Sequence, residues 1–85
     1  MIISSNKDFE RDYKKLPKNI QERFKERILL FRKDQYDPIL NNHSLKGRYS
    51  GYRSINVTGD VRAIFMKNGD EVVFAAIGSH SKLYG

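Results

Sequence analysis

The chain contains two histidines, His43 and His80, and no cysteine. Imidazole is the side chain whose ordinary pKa, about 6.5, lets it give and take protons near neutrality. His43 lies in the polar run NNHSLKG and His80 in IGSHSKLYG. Taken alone, each reads more readily as an exposed loop residue. Asp60, beside Gly59, reads either as ordinary turn chemistry or as a carboxylate that assists proton transfer. Arg62 stands among apolar neighbours and needs an anionic partner, in the protein or in a ligand, and phosphate is such a partner. Lys46, Arg48 and Arg53 are interleaved with Tyr49 and Tyr52, and Tyr84 follows at the far end of the chain. That mixture offers phosphate contact and base stacking, though it also serves as amphipathic cover for a small core.

Other chemistries fit poorly. Two histidines in distant loops with scattered carboxylates match no metal-ligand spacing, so no metal or other cofactor is expected. The six glycines are dispersed in turns and make no phosphate-binding loop. No serine sits in a nucleophile elbow. What remains is metal-free acid–base catalysis by His, Asp and Arg. RNA suits that equipment because its own 2′-hydroxyl supplies the nucleophile.

The elements that must position these groups follow from hydrophobic periodicity. Residues 1–5 are short and β-prone and suggest an edge strand. Phe9, Tyr13 and Leu16 then line one helical face, with Ser5 or Asn6 as N-cap and Asp8 and Glu10 in the first turn. Pro17 ends this helix and opens the next, where Ile20, Phe24, Ile28 and Phe31 recur on one face. So short a link predicts an antiparallel helical hairpin. Residues 34–42 read as a loop, punctuated by Pro38 and by Asn41 and Asn42. From residue 50 the period becomes two, and strands are expected over 52–57, 61–67 and 71–77. Thr58, Gly59 and Asp60 supply one turn. Asn68-Gly69 predicts a two-residue hairpin with positive φ at both positions. The result is a three-stranded antiparallel meander.

Alternation divides the sheet into two faces. Ile55, Val57, Val61, Ala63, Phe65, Val73, Ala75 and Ile77 form a nearly all-apolar set that should carry the helices. The opposite face, with Ser54, Asn56, Arg62, Ile64, Val72, Phe74 and Ala76, is expected to stay open and to accept nucleic acid. Arg53 falls by the same alternation on the helix-packed side, and reaches RNA only from the strand's start. The expected fold is thus a single α+β domain over 1–85, two-layered, in the order β-α-α-β-β-β.

Sixteen Lys+Arg against ten Asp+Glu give a formal charge of +6 in 85 residues. Such a balance attracts polyanions, nucleic acid first among them, and suits an acidic protein partner equally well. Plain solubility is the competing explanation. The opening residues lack the pattern of a signal peptide and no apolar run approaches a membrane span, so a cytoplasmic location is expected.

Three stretches carry a family resemblance: His43-Ser-Leu-Lys-Gly47 with Gly51-Tyr52-Arg53, then Asp60-Val-Arg-Ala-Ile-Phe65, then the closing Ile77-Gly78-Ser79-His80 with Tyr84-Gly85. Together they resemble the RelE/ParE superfamily of type II toxins, and within it the YafQ-like branch. The resemblance implies a RelE-like toxin that cleaves mRNA in the ribosomal A site without metal and is neutralised by an acidic, partly disordered antitoxin. It implies His80 as the general acid, His43 and Asp60 as members of the acid–base set, and Arg62 against the scissile phosphate. Tyr84 would stack on or orient the substrate base. Apart from the resemblance, the basic run itself makes Lys46, Arg48 and Arg53 candidate RNA contacts, with Asn56 on the same open face as Arg62. The branch has a histidine where this chain has Asn56, an aromatic at Val61 and an arginine at Ala76. Asn56 can hydrogen-bond but cannot shuttle a proton, while Arg62 offsets the arginine missing at position 76. A ParE-like gyrase inhibitor, or a non-catalytic RNA- or antitoxin-binding module, would share this fold and charge, but neither needs the His43, Asp60 and His80 set.

Overall fold

The computed structural model describes residues 1–84, and builds them into one five-stranded sheet with helices on both faces. Strand β1 (Ile2–Ser5) leads into α1 (Lys7–Lys14) and α2 (Lys18–Lys33). The short β2 (His43–Ser44) follows, then β3 (Arg53–Asn56), β4 (Val61–Asn68) and β5 (Glu71–Ser79), and the chain closes in α3 (His80–Tyr84). The strand order is β1-β5-β4-β3-β2. Strands β2 to β5 run antiparallel in sequence order, and β1 pairs parallel to β5.

Local chemistry explains the helical hairpin. Asn6 caps α1 by accepting from the Phe9 amide at 2.8 Å. Pro17 takes the N-cap position of α2, just outside the helix, and its carbonyl accepts from the Ile20 and Gln21 amides. Gln21 locks the bend: its amide donates to the carbonyls of Tyr13 and Leu16, both at 3.1 Å, while the Tyr13 hydroxyl returns a bond to the Gln21 carbonyl. One apolar face of the hairpin then covers the sheet. Phe74 is the centre of that contact, with its ring 5.7 Å from Phe9, 5.5 Å from Phe24, 6.1 Å from Phe31 and 5.3 Å from Phe65.

Phe74 is also where strict alternation fails. Arg62 through Ile64 pair with Gly78 through Ala76, but Phe65 pairs with Phe74, which leaves Ala75 as an extra residue in β5. This β-bulge reverses which side chains face inward on the first half of the strand. Val72 and Phe74, expected on the outer face, belong to the core, and Val73, expected inside, is exposed. Beyond the bulge Ile77 faces the core as anticipated. The β4–β5 turn differs as well. Asn68 pairs with Glu71, so the turn residues are Gly69 and Asp70, and positive φ is confined to Gly69. That is the pattern of a type II′ turn, one residue along from the expected one.

The outer face is only partly open. Ser54 and Ile64 are completely buried there, and Leu83 of α3 is buried too. The sequence alone gives no warning of α3, because five residues show no helical period. Gly78 permits its close approach. A Cβ at that position would stand 3.1 Å from Lys82 Cδ and 3.7 Å from Leu83 Cδ2, so α3 folds back directly over its own strand.

A basic cleft that gathers both histidines

Part of this face opens into a cleft of about 360 Å³ lined by Asn41, His43, Leu45, Arg62, His80 and Tyr84. Residues from a two-residue edge strand, a central strand and the terminal helix therefore meet around one space. His43 is aimed by its backbone neighbour. Its Nδ1 lies 2.8 Å from the Asn41 carbonyl, which can only accept, so Nδ1 carries the proton. In the neutral ring, Nε2 is then the free base. Asn41 adopts a left-handed conformation (φ 47°) at the end of the 3-10 turn Pro38–Leu40, a geometry that asparagine tolerates better than most residues.

His80 begins α3. Its amide donates to the Asp60 carbonyl at 3.0 Å, and its ring lies 4.8 Å from the Tyr84 ring one helical turn on. Arg62 is tied to the same turn: one guanidinium nitrogen donates to the carbonyls of Thr58 at 3.1 Å and Gly59 at 3.0 Å. The Thr58 hydroxyl in turn accepts from the amides of Asp60 and Val61. No carboxylate among the described residues pairs with Arg62, so its positive charge is available to an anion in the cleft.

The remaining expected residues separate into groups. Asp60 is exposed and does not line the cleft, which it touches through its backbone bond to His80. Asn56 pairs with Arg62 across β3 and β4, yet its side-chain oxygen is buried and without a partner. Lys46 and Arg48 share a neighbouring shallow cavity with Tyr84. Arg53 points away: its Nε donates to Asn42 at 2.7 Å and its guanidinium lies 5.8 Å from the centre of the Tyr36 ring. Sequence reasoning missed Asn41 and Leu45 of the cleft and the role of Gly78. Only Gly78 left a trace, as the small residue in the closing Gly-Ser-His pattern.

No group of three or more metal-ligating side chains is assembled among the described residues, and none of their helices is long and apolar enough to cross a membrane.

Comparison with known proteins accords with this architecture. No curated protein matches the sequence. Among solved structures, YafQ from E. coli strain BL21(DE3) superposes with a TM-score of 0.83 at 22% identity, covering 98% of this chain and 97% of that one. The YafQ toxin in the E. coli DinJ-YafQ toxin-antitoxin complex gives 0.80 at 23% identity, covering 98% and 96%. The Helicobacter pylori protein HP0894 gives 0.72 at 27% identity, covering 99% of both chains. The family model described as "Bacterial toxin of type II toxin-antitoxin system, YafQ" matches residues 1–85, and the chain therefore belongs to the YafQ family of type II toxins.

Proposed function

We propose that this toxin is an endoribonuclease that cuts messenger RNA on the ribosome, within the A site. The observation that carries the reading is the meeting of His43, Arg62 and His80 in one cleft. His43 Nε2 takes the proton from a ribose 2′-hydroxyl, whose oxygen then attacks the adjacent phosphorus. Charge grows on the non-bridging oxygens, where the Arg62 guanidinium opposes it. His80 gives its proton to the departing 5′-oxygen. The products are a 2′,3′-cyclic phosphate and a free 5′-hydroxyl. One proton enters the protein at His43 and one leaves at His80, so exchange with solvent resets the pair. Tyr84, against the His80 ring, offers a flat surface for the neighbouring base. Asp60, whose carboxylate lies outside the cleft lining, is the lesser candidate for the base. The nucleophile belongs to the substrate and the acid and base to the protein, so the scheme calls on no metal.

An acidic antitoxin is the proposed protein partner. A charge of +6 favours it, and so do Met66 and Val73, which pair across β4 and β5 with both side chains exposed. The E. coli YafQ of similar fold is seen in complex with DinJ.

The test is to map messenger ends after brief expression of the toxin and of His80→Ala. In-frame cuts in translated messages are expected with the wild type, and single-turnover cleavage by His80→Ala at least about a hundredfold slower with ribosome binding retained. Equal rates would defeat the assignment of His80. Intact messages with DNA-damage signalling would point instead to gyrase.

A further inference from the structure

Helix α3 delivers His80 and Tyr84 to the cleft, yet five residues are far too few to hold a helix alone, since isolated helices shorter than about 12 residues are marginal in water. Its position must come from tertiary contacts. The first turn is held by the His80 amide on the Asp60 carbonyl, and Lys82 reaches Asp12 of α1 at 3.6 Å. The last turn ends in carbonyls that lack intrahelical partners. There Arg48, on the 3-10 turn Gly47–Tyr49, donates to the Leu83 carbonyl at 2.6 Å. The same guanidinium lies 5.2 Å from the centre of the Tyr49 ring, and that ring meets Tyr84 edge to face at 6.0 Å. A cation that donates to terminal carbonyls is the favoured neighbour of a helix C-terminus.

We propose that Arg48 is a positioning residue, which fixes the end of α3 and thereby the places of the His80 and Tyr84 rings in the cleft. The proposal builds on the nuclease reading. It also reassigns Arg48, which the basic run in the sequence suggests as an RNA contact.

Full-length Arg48→Ala, Arg48→Lys and Lys46→Ala proteins test it. Arg48→Ala is expected to slow single-turnover cleavage on programmed ribosomes by about 10- to 100-fold, as misplacement of a reacting group does, with affinity changed less than about threefold. Arg48→Lys restores most of the rate, because an ammonium can also donate to a helix-terminal carbonyl. In the free protein, α3 amides of Arg48→Ala exchange faster and the nuclear Overhauser contact between the His80 and Tyr84 rings weakens, while Lys46→Ala leaves both unchanged. A loss confined to affinity, with a shallower salt dependence and an undisturbed α3, would overturn the proposal in favour of phosphate contact. Wild-type rate and exchange in Arg48→Ala would overturn it as well. If the wild type cleaves no RNA, the nuclease reading falls, and the exchange and ring-contact measurements still decide the role of Arg48.

Discussion

At the scale of residues, the cleft separates groups that look alike on paper. His43 and Asp60 both entered as candidates for removing the 2′ proton, but only His43 lines the cleft, with its Nδ1 proton committed to Asn41. His43→Ala is therefore expected to slow single-turnover cleavage by about 10²-fold or more, and Asp60→Asn, which keeps the turn and its carbonyl, by less than about tenfold. The reverse order would make the carboxylate the base. Arg62→Ala should cost about 10²–10³-fold in the same assay with ribosome affinity nearly retained, as expected for a donor matched to transition-state charge. An affinity loss alone would make Arg62 a binding residue. Residue type and position in the chain pick out His43, Arg62 and His80, which the fold brings to one cleft. They could not disclose that Asn41 aims His43, because that service is rendered by a backbone carbonyl, which has no side-chain signature.

At the scale of elements, periodicity identified β3, β4, β5 and the helical hairpin, whose patterns repeat, and passed over the two-residue β2. It failed at the β5 bulge and at α3. Val72, Val73, Phe74, Ala75 and Ala76 are all apolar, so either set of alternate positions looks fit for burial and only the extra residue decides. Val72→Asp should abolish folding, because it buries an unpaired charge, whereas Val73→Asp should stay within about 1 kcal/mol of wild type in denaturant titrations. Equal tolerance would contradict the register. A second element-level expectation concerns the link between α1 and α3. The hydrogen bond from Arg11 to Asp12, helped by the charge of Lys82, holds the Asp12 carboxyl below the usual carboxylate range. A group depressed on folding stabilises above its unfolded pKa, about 3.9, and that contribution disappears as pH falls through the lower folded value. Asp12→Asn should therefore narrow the difference in stability between neutral and strongly acid solution. Parallel acid limbs for the two proteins would show that Asp12 contributes none of it.

At the scale of the whole molecule, the radius of gyration of 11.8 Å matches the roughly 12 Å expected of a compact chain this long. The cleft therefore lies in a compact domain. If the proposed function holds, net charge should govern the approach to RNA. Binding to a short single strand should weaken with added salt, with a log–log slope near −0.7 for each phosphate neutralised, and Lys46→Ala should make that slope shallower. An unchanged slope would remove Lys46 from the RNA contacts. Composition alone is what suggests this electrostatic behaviour. The partial closure of the outer sheet face was not legible there, because it depends on where a five-residue helix lands.

The unpaired Ala75 has one more consequence. Deleting it would leave the apolar inventory of the chain almost untouched, yet the strand would then be out of phase with itself. Either Val72 and Phe74 surrender their seats beneath the helices, or Ile77 and all that follows turn over, and His80 emerges on the wrong side of the sheet. One alanine, inert in every chemical sense, keeps the half of that strand beneath the helices in step with the half that leads to His80.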